Sequence, residues 1–73
     1  MNLRINVAEE MRQFEQAQQH YQQALQIYVE FGDRFSQAHT YGQLGLLAEA
    51  EGNPAEARTY LQQALEIFVE FLR

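Results

Sequence analysis

The sequence predicts an all-α fold, an α-solenoid fragment in which four antiparallel helices form two helix-turn-helix hairpins. The first observation is a duplicated block: residues 17–31 read AQQHYQQALQIYVEF, and residues 57–71, offset by 40 positions, read ARTYLQQALEIFVEF. Self-similarity at a period of roughly 20–50 residues is typical of repeat arrays. The second observation is that apolar residues recur at helical spacing in both units, while no segment alternates as a strand does. We therefore expect one domain over residues 1–73, with repeat unit one at 1–32 and repeat unit two at 33–73.

The composition narrows the functional class. Ten acidic residues face five arginines and no lysine in 73 residues, which gives a net charge of −5. This balance disfavours nucleic acid and anionic membranes and weakly favours a basic partner. The absence of cysteine excludes disulfides and thiolate metal sites. The sequence has no signal-peptide pattern and no apolar stretch near the roughly 18 residues that cross a bilayer, so we expect a cytoplasmic protein.

The first hairpin is predicted from two apolar stripes. Val7, Ala8 and Met11 fit a first helix over about residues 3–12. A second helix is expected from Phe14 to Phe31, where apolar residues keep a spacing of three or four and glutamines fill the other faces. Gly32 can then close the helix in a left-handed conformation, and Asp33 can cap the next helix.

The turn of this first hairpin has a weak signal. The segment Met11-Arg12-Gln13-Phe14 lacks Gly, Pro and Asn, and Arg12 occupies the position that Gly52 has in the second unit. A left-handed arginine would cost roughly 1–2 kcal/mol, whereas each residue of the segment is acceptable in a helix. The alternative is one continuous helix over residues 3–31, which would favour a swapped dimer.

The second hairpin has clearer boundaries. We expect a third helix over roughly residues 34–51, in which Gly45 marks a close approach of another backbone. Gly52, Asn53 and Pro54 follow as a helix terminator, an N-cap and a first-turn residue, with Glu56 three positions after the cap. The fourth helix is expected to run to about Leu72.

These residues resemble the tetratricopeptide repeat family. The second unit carries Tyr41-x2-Leu44-Gly45 and then Ala57-x3-Leu61-x2-Ala64-Leu65, and the first unit carries Ala17-x3-Tyr21-x2-Ala24-Leu25. Ala48 stands where the family usually has an aromatic residue, Val69 replaces a terminal proline, and the period is 40 rather than 34. We expect packing between helices from small and large apolar residues at motif positions: Ala17, Tyr21, Ala24, Leu25, Tyr41, Leu44, Gly45, Ala57, Leu61, Ala64 and Leu65.

The sequence offers no catalytic or metal-binding constellation. His20 and His39 fall on different predicted helices, and neither has a second ligand at the spacing that zinc needs. The acidic pairs Glu9-Glu10 and Glu49-Glu51 have no predicted burial that would adapt them to acid–base catalysis. Ser36, the only serine, has no neighbouring base or strained turn. We therefore predict a protein that is not an enzyme and needs no cofactor.

The resemblance implies a protein–protein interaction scaffold, because the first helix of each unit in this family lines a concave groove for a peptide or partner helix. The missing lysines make a carboxylate clamp doubtful, so a basic or neutral peptide is the expected ligand. The family's groove positions fall on the following residues: Asn6, Glu9, His39, Gln43, Leu46 and Glu49.

The alternative function is self-assembly. Stacked repeats bury their faces against neighbours, and terminal units usually carry a polar cap. The last helix of this sequence remains apolar, and an exposed apolar patch tends to recruit a partner. We therefore expect a homodimer or part of a longer array, with these self-association candidates: Tyr60, Ile67, Phe68, Phe71 and Leu72.

Overall fold

A computed structural model describes residues 7–73, which form three α-helices and no strand. Helix α1 spans Val7–Glu30, α2 spans Arg34–Ala50 and α3 spans Pro54–Glu70. The all-α class is confirmed for this part of the chain. Helix α2 is central, because it packs against both α1 and α3.

The predicted turn at residues 11–14 is wrong, and so is the prediction of four helices. Helix α1 continues through Arg12 and Gln13 without interruption, so the described residues form one long helix followed by one hairpin, α2–α3. The physical reason is local: all four residues of the segment tolerate helical geometry, and no glycine is present to adopt a left-handed conformation. The continuous helix, which was the alternative, is confirmed for Val7–Glu30; the predicted start of the first helix lies outside the described residues.

The turn between α1 and α2 follows the sequence prediction. Gly32 has a positive φ of 68°, a conformation that glycine adopts without steric cost. The Asp33 amide then donates to the Tyr28 carbonyl at 2.9 Å. A side-chain oxygen of Asp33 accepts a 3.0 Å hydrogen bond from the Ser36 amide, which makes Asp33 the N-cap of α2.

The turn between α2 and α3 repeats this design. Gly52 has a φ of 80°, and Pro54 begins α3. Asn53 caps the helix because its Oδ1 accepts a 3.4 Å hydrogen bond from the Glu56 backbone amide. Its side-chain nitrogen Nδ2 donates to the Glu56 carboxylate at 2.7 Å. The Gly-Asn-Pro prediction is therefore confirmed residue by residue.

Small side chains at the centre of the α2–α3 hairpin let the two helices pack closely. Ala38 and Ala48 on α2 are buried, as are Ala57 and Ala64 on α3. A Cβ atom added to Gly45 would lie 2.7 Å from Leu61 Cγ and 3.3 Å from the Ala57 carbonyl oxygen. The close approach that the sequence predicts at Gly45 is therefore confirmed.

Aromatic pairs close the hairpin on either side of these small residues. Phe35 lies edge-on to both Phe68 and Phe71, with ring centroids 5.8 Å apart in each pair. The Tyr41 and Tyr60 rings are stacked at 6.3 Å. Such pairs contribute beyond simple burial, so the half-buried Tyr60 and Phe68 of α3 pack against α2, whereas Phe71, which follows α3, remains 55% exposed.

An acid-dependent loss of stability is expected from two carboxylates at the helix ends. A hydrogen bond from the Arg34 guanidinium, with an Arg34 Nη2 to Glu70 Oε2 distance of 2.7 Å, lowers the pKa of Glu70. Hydrogen bonding by the Ser36 hydroxyl and backbone amide lowers the pKa of Asp33. A carboxylate whose pKa is lowered in the folded state stabilises the fold at pH values above its unfolded-state pKa. This contribution is lost as the pH falls through the folded-state pKa.

Thermal melts between pH 7 and pH 3 measure this dependence. Asp33→Asn keeps a side-chain oxygen for the cap and removes the titrating group, so Asp33→Asn combined with Glu70→Gln should flatten the acid side of the profile. Both groups are exposed, so the effect should be small in size. An unchanged acid slope in the double variant would contradict this assignment.

Candidate protein-binding surfaces

One face of α2 points to solvent and carries the predicted groove residues of the second unit. His39, Gln43 and Leu46 recur at spacings of four and three, which places them on one stripe of the helix. His39 is exposed, Gln43 is half-buried, and Leu46 is 63% exposed. We call His39, Gln43, Leu46 and the neighbouring exposed Glu49 the α2 surface.

A shallow depression lies where the α2 surface meets α1. Its volume is about 270 Å³, and its lining combines the apolar side chains of Tyr21, Leu46 and Leu47 with the amide of Gln43. An apolar floor with one polar group is the usual composition of a site that holds a side chain of a ligand. Sequence reasoning identified Gln43 and Leu46 here but assigned Tyr21 to internal packing.

The groove residues predicted in the first unit, Asn6 and Glu9, stay predictions. Asn6 lies outside the described residues. Glu9 is exposed on α1 but stands about 140° around the helix from Phe14, at 3.6 residues per turn. Phe14 lines a cleft at the end of α2, and Glu9 is not among the residues of that cleft. Because α1 continues through Arg12 without a turn, the described part of the first unit has no separate groove helix.

The same continuous helix creates an acidic cleft that the sequence did not predict. Residues of α1 before Phe14 extend past the C-terminal end of α2 and leave a concavity of about 440 Å³. Met11, which is 59% exposed, and the half-buried Phe14 supply its apolar part. Its carboxylates come from both helices: Glu10, Glu15 and Glu51. In the sequence, the apolar residues Met11 and Phe14 are flanked by Glu10 and Glu15. This pattern indicates a cleft only if α1 is continuous.

The outer side of α3 forms another apolar surface. Leu61 is 40% exposed and Leu65 is 63% exposed, although both were predicted to be packing residues. With Ala57, Arg58 and Gln62 they line a wide concavity of about 710 Å³ that Pro54 and Glu49 border. We call Ala57, Arg58, Leu61, Gln62 and Leu65 the α3 surface.

Three of the five predicted self-association residues do not lie on an exposed surface. Ile67 is only 4% exposed, and Tyr60 and Phe68 are half-buried against the aromatic rings of α2. Phe71 and Leu72 are exposed at 55% and 84%, as predicted, although Phe71 also contacts Phe35. The apolar exposure of α3 therefore lies mainly on the opposite side of the helix from Ile67.

The remaining predicted packing residues divide into two groups. Leu44, Gly45, Ala57 and Ala64 are buried in the α2–α3 hairpin. The others are half-buried, and all but one belong to α1: Ala17, Tyr21, Ala24, Leu25 and Tyr41. Helix α1 is thus covered on one side by α2 and is open on another.

Two further properties concern residues 7–73. None of their helices is long and apolar enough to cross a membrane. In this part of the chain, no three His, Cys, Asp or Glu side chains lie together as a metal site would require. The chemistry of the described surfaces is that of apolar side chains flanked by carboxylates and amides.

Comparison with known proteins agrees with the helical repeat. A family model for the tetratricopeptide repeat matches residues 1–68, which is nearly the whole chain. No curated protein and no solved structure gives a significant match. The family match, the three helices and the tandem offset of 40 residues together establish that this chain belongs to the tetratricopeptide repeat family.

Proposed function

We propose that the chain is a non-catalytic interaction scaffold whose α2 surface binds a peptide or a partner helix. Tetratricopeptide repeats are generally protein–protein interaction modules, which supports the class of function. The observation that carries the proposal is Leu46, a large apolar side chain that is 63% exposed beside the depression lined by Tyr21, Gln43 and Leu47. A side chain of the ligand that filled this depression would remove Leu46 from water.

The charges around this surface favour a basic or neutral ligand. Glu49 lies on α2 next to Leu46, and the acidic cleft with Glu10, Glu15 and Glu51 opens at the same end of the helix. These carboxylates attract Lys and Arg side chains and repel acidic ones, an effect that acts on association rate and specificity. The ligand that fits this pattern is a peptide with an apolar anchor followed by basic residues.

Binding of fluorescent peptides tests this proposal. A Lys/Arg-rich peptide with one Leu or Phe should bind more tightly than its charge-inverted counterpart with Asp and Glu, and the difference should shrink as salt is raised. Leu46→Ala should weaken binding about tenfold, as expected for loss of an anchor contact worth about 1.4 kcal/mol.

Leu65→Ala is the matched control, because Leu65 is also 63% exposed but lies on α3. It should leave the affinity for the basic peptide unchanged. Tighter binding of the acidic peptide, or equal losses in the two leucine variants, would overturn the proposal.

A second candidate function is self-association, and a comparison between repeats favours it. Ile27 on α1 is 50% exposed, whereas its counterpart in the second unit, Ile67, is 4% exposed because α2 covers it. The equivalent cover on α1 would be the first helix of unit one, which instead continues as part of α1. A second copy that packed against Ile27, by exchange of its first helical segment or otherwise, would bury this face.

Molar mass by light scattering decides on this second candidate. A homodimer would have twice the 8.5 kDa of the single chain, and Ile27→Gln should shift it towards the monomer. A mass of one chain at millimolar concentration would exclude self-association. That outcome would leave the peptide-binding proposal intact.

A further inference from the structure

The acidic cleft combines an apolar interior with carboxylates from two different helices. Met11 and Phe14 of α1 supply apolar walls, and the volume is about 440 Å³. The carboxylates belong to Glu10 and Glu15 of α1 and to Glu51 at the end of α2. An apolar concavity with a few convergent polar groups is the usual form of a ligand site. Because the charged groups here are all negative, the fitting ligand is a cation with an apolar part.

No arginine or histidine among residues 7–73 lines the acidic cleft. Arg12, the arginine nearest to it in sequence, stands about 160° around α1 from Phe14, at 3.6 residues per turn. The end of α2 adds to the negative potential, because Glu51 is the C-cap and the helix macrodipole is negative at this end. The cleft is therefore complementary in charge to a positive group that comes from outside residues 7–73.

The aromatic ring of Phe14 favours one cation over the other. The guanidinium group of arginine is planar, stacks on aromatic faces and donates hydrogen bonds to carboxylates in a fork. Its aliphatic stem can cover apolar walls while the charged head meets the carboxylates. The ammonium group of lysine is a compact, strongly hydrated point charge that cannot stack in this way. A cleft in which a half-buried ring lies among carboxylates of two helices thus matches arginine better than lysine.

The acidic cleft lies on the same seam between α1 and α2 as the depression beside Leu46. Phe14 and Tyr21 are seven residues apart on one stripe of α1, and Leu46 and Ala50 are four residues apart on one stripe of α2. At 1.5 Å per residue, the two concavities are about 6–10 Å apart along the helices. An extended peptide spans this distance with about two or three residues, at roughly 3.3 Å each. One short peptide therefore reaches both.

Building on the function proposed above, we propose that the acidic cleft is an arginine pocket, which receives a guanidinium side chain of the same peptide whose apolar anchor lies beside Leu46. The guanidinium stacks on Phe14 and pairs with the surrounding carboxylates, while Met11 and Ala50 cover the aliphatic stem. Charge-assisted and bidentate pairs of this kind are the strong ones among hydrogen bonds. The pocket exists because α1 continues through Arg12, so the preference for arginine is a property of the continuous helix.

Fluorescence anisotropy with matched peptides tests the arginine pocket. Each peptide is neutral apart from one position, about three residues before or after a single leucine, that holds arginine, lysine or citrulline, the uncharged isostere of arginine. With the unchanged chain, the tighter of the two arginine peptides should bind about tenfold more tightly than its citrulline counterpart and about threefold more tightly than its lysine counterpart. In Phe14→Leu the preference for arginine over lysine should disappear. A ratio of two affinities measured on one variant does not depend on how much of that variant is folded.

Double variants with equal net charge locate the arginine. Glu15→Gln combined with Glu51→Gln removes two carboxylates of the cleft, so most of the difference between the arginine and citrulline peptides should vanish. Glu30→Gln combined with Glu66→Gln changes the net charge by the same amount at exposed positions outside the cleft. This control should leave the difference between the two peptides unchanged.

The outcomes separate the arginine pocket from the α2 surface. Equal binding of the arginine peptide and either counterpart, or equal effects of the two double variants, would overturn the pocket. If Leu46→Ala still weakens binding in that case, the α2 surface keeps its proposed function and only the pocket is wrong. If Leu46→Ala has no effect while the preference for arginine remains, the pocket stands and the α2 surface is wrong. A dimer in light scattering that the cleft double variant dissociates would show that a second copy fills the cleft, which also overturns the inference.

Discussion

Replacing Leu44 by alanine should destabilise the fold by about 2–5 kcal/mol, the range measured for buried leucines. Leu44 is 2% exposed and is the largest fully buried side chain in residues 7–73. It lies where all three helices meet, next to Gln18 of α1 and Tyr60 of α3. Truncation removes its transfer free energy and leaves a cavity that neither neighbouring helix can fill without losing its own contacts. Urea unfolding followed by circular dichroism measures the loss.

The size of this effect matters because the domain is small. Single hydrophobic cores of fewer than about 70–80 residues rarely supply more than about 3–5 kcal/mol. We therefore expect a large unfolded fraction in Leu44→Ala even without denaturant. Leu46→Ala is the control on the same helix, since its side chain is 63% exposed. Equal unfolding midpoints for the two variants would contradict the assigned core.

Gly45→Leu should destabilise the hairpin by about 1–3 kcal/mol through overpacking. The first atom of any side chain at this position would come within 2.7 Å of Leu61 Cγ and 3.3 Å of a backbone oxygen of Ala57. Leu61 is partly exposed and can move aside, but the Ala57 carbonyl is held in α3. The helices would therefore have to separate, and the unfolding midpoint in urea should fall.

Gly42 provides the matched control on the same helix. Apart from its chain neighbours and the backbone of its own helix, no atom lies within 4 Å of a Cβ built there, so Gly42→Ala should stabilise the protein by roughly 0.5–1 kcal/mol through helix propensity alone. Ala64→Leu, at a buried position of α3, should resemble Gly45→Leu. If Gly45→Leu were as stable as the unchanged chain, the close contact between α2 and α3 would be wrong.

The parts of the fold that were predictable are those with local chemical signals. Gly32 and Gly52 adopt positive φ values, and Asp33 and Asn53 cap the helices that follow, because these residue types favour those conformations in any context. The close contact at Gly45 was also predictable, since a glycine in a helix is costly without such a reason.

The continuous α1 was only the alternative prediction, because the preferred expectation of a turn came from the repeat and not from the residues. The second unit has a turn at Gly52, so the first unit was expected to turn at Arg12. Residues 11–14 contain no helix terminator, and a helix continues where nothing stops it. The local chemistry had favoured the alternative, and the structure agrees with it.

The sequence also did not predict correctly which side of α3 faces α2. Its helix is apolar on two sides, so spacing alone does not tell which side faces α2. Leu65 and Ile67 stand about 160° apart around the helix, at 3.6 residues per turn. The structure buries Ile67 and exposes Leu65, which exchanges the roles that the sequence suggested. Deciding between the sides requires knowing that Ala57 and Ala64 meet α2, which is a tertiary contact.

An NMR titration of the isotope-labelled chain with the basic peptide tests the central claim, that the α2 surface is a protein-binding site, most directly. We predict saturable shifts of the backbone amides of His39, Gln43 and Leu46, with Tyr21 of α1 following the same curve. The amides around Arg58 and Leu65 should stay unchanged. Shifts confined to α3, or no saturable shift anywhere at millimolar peptide, would contradict the proposal that α2 carries the binding site.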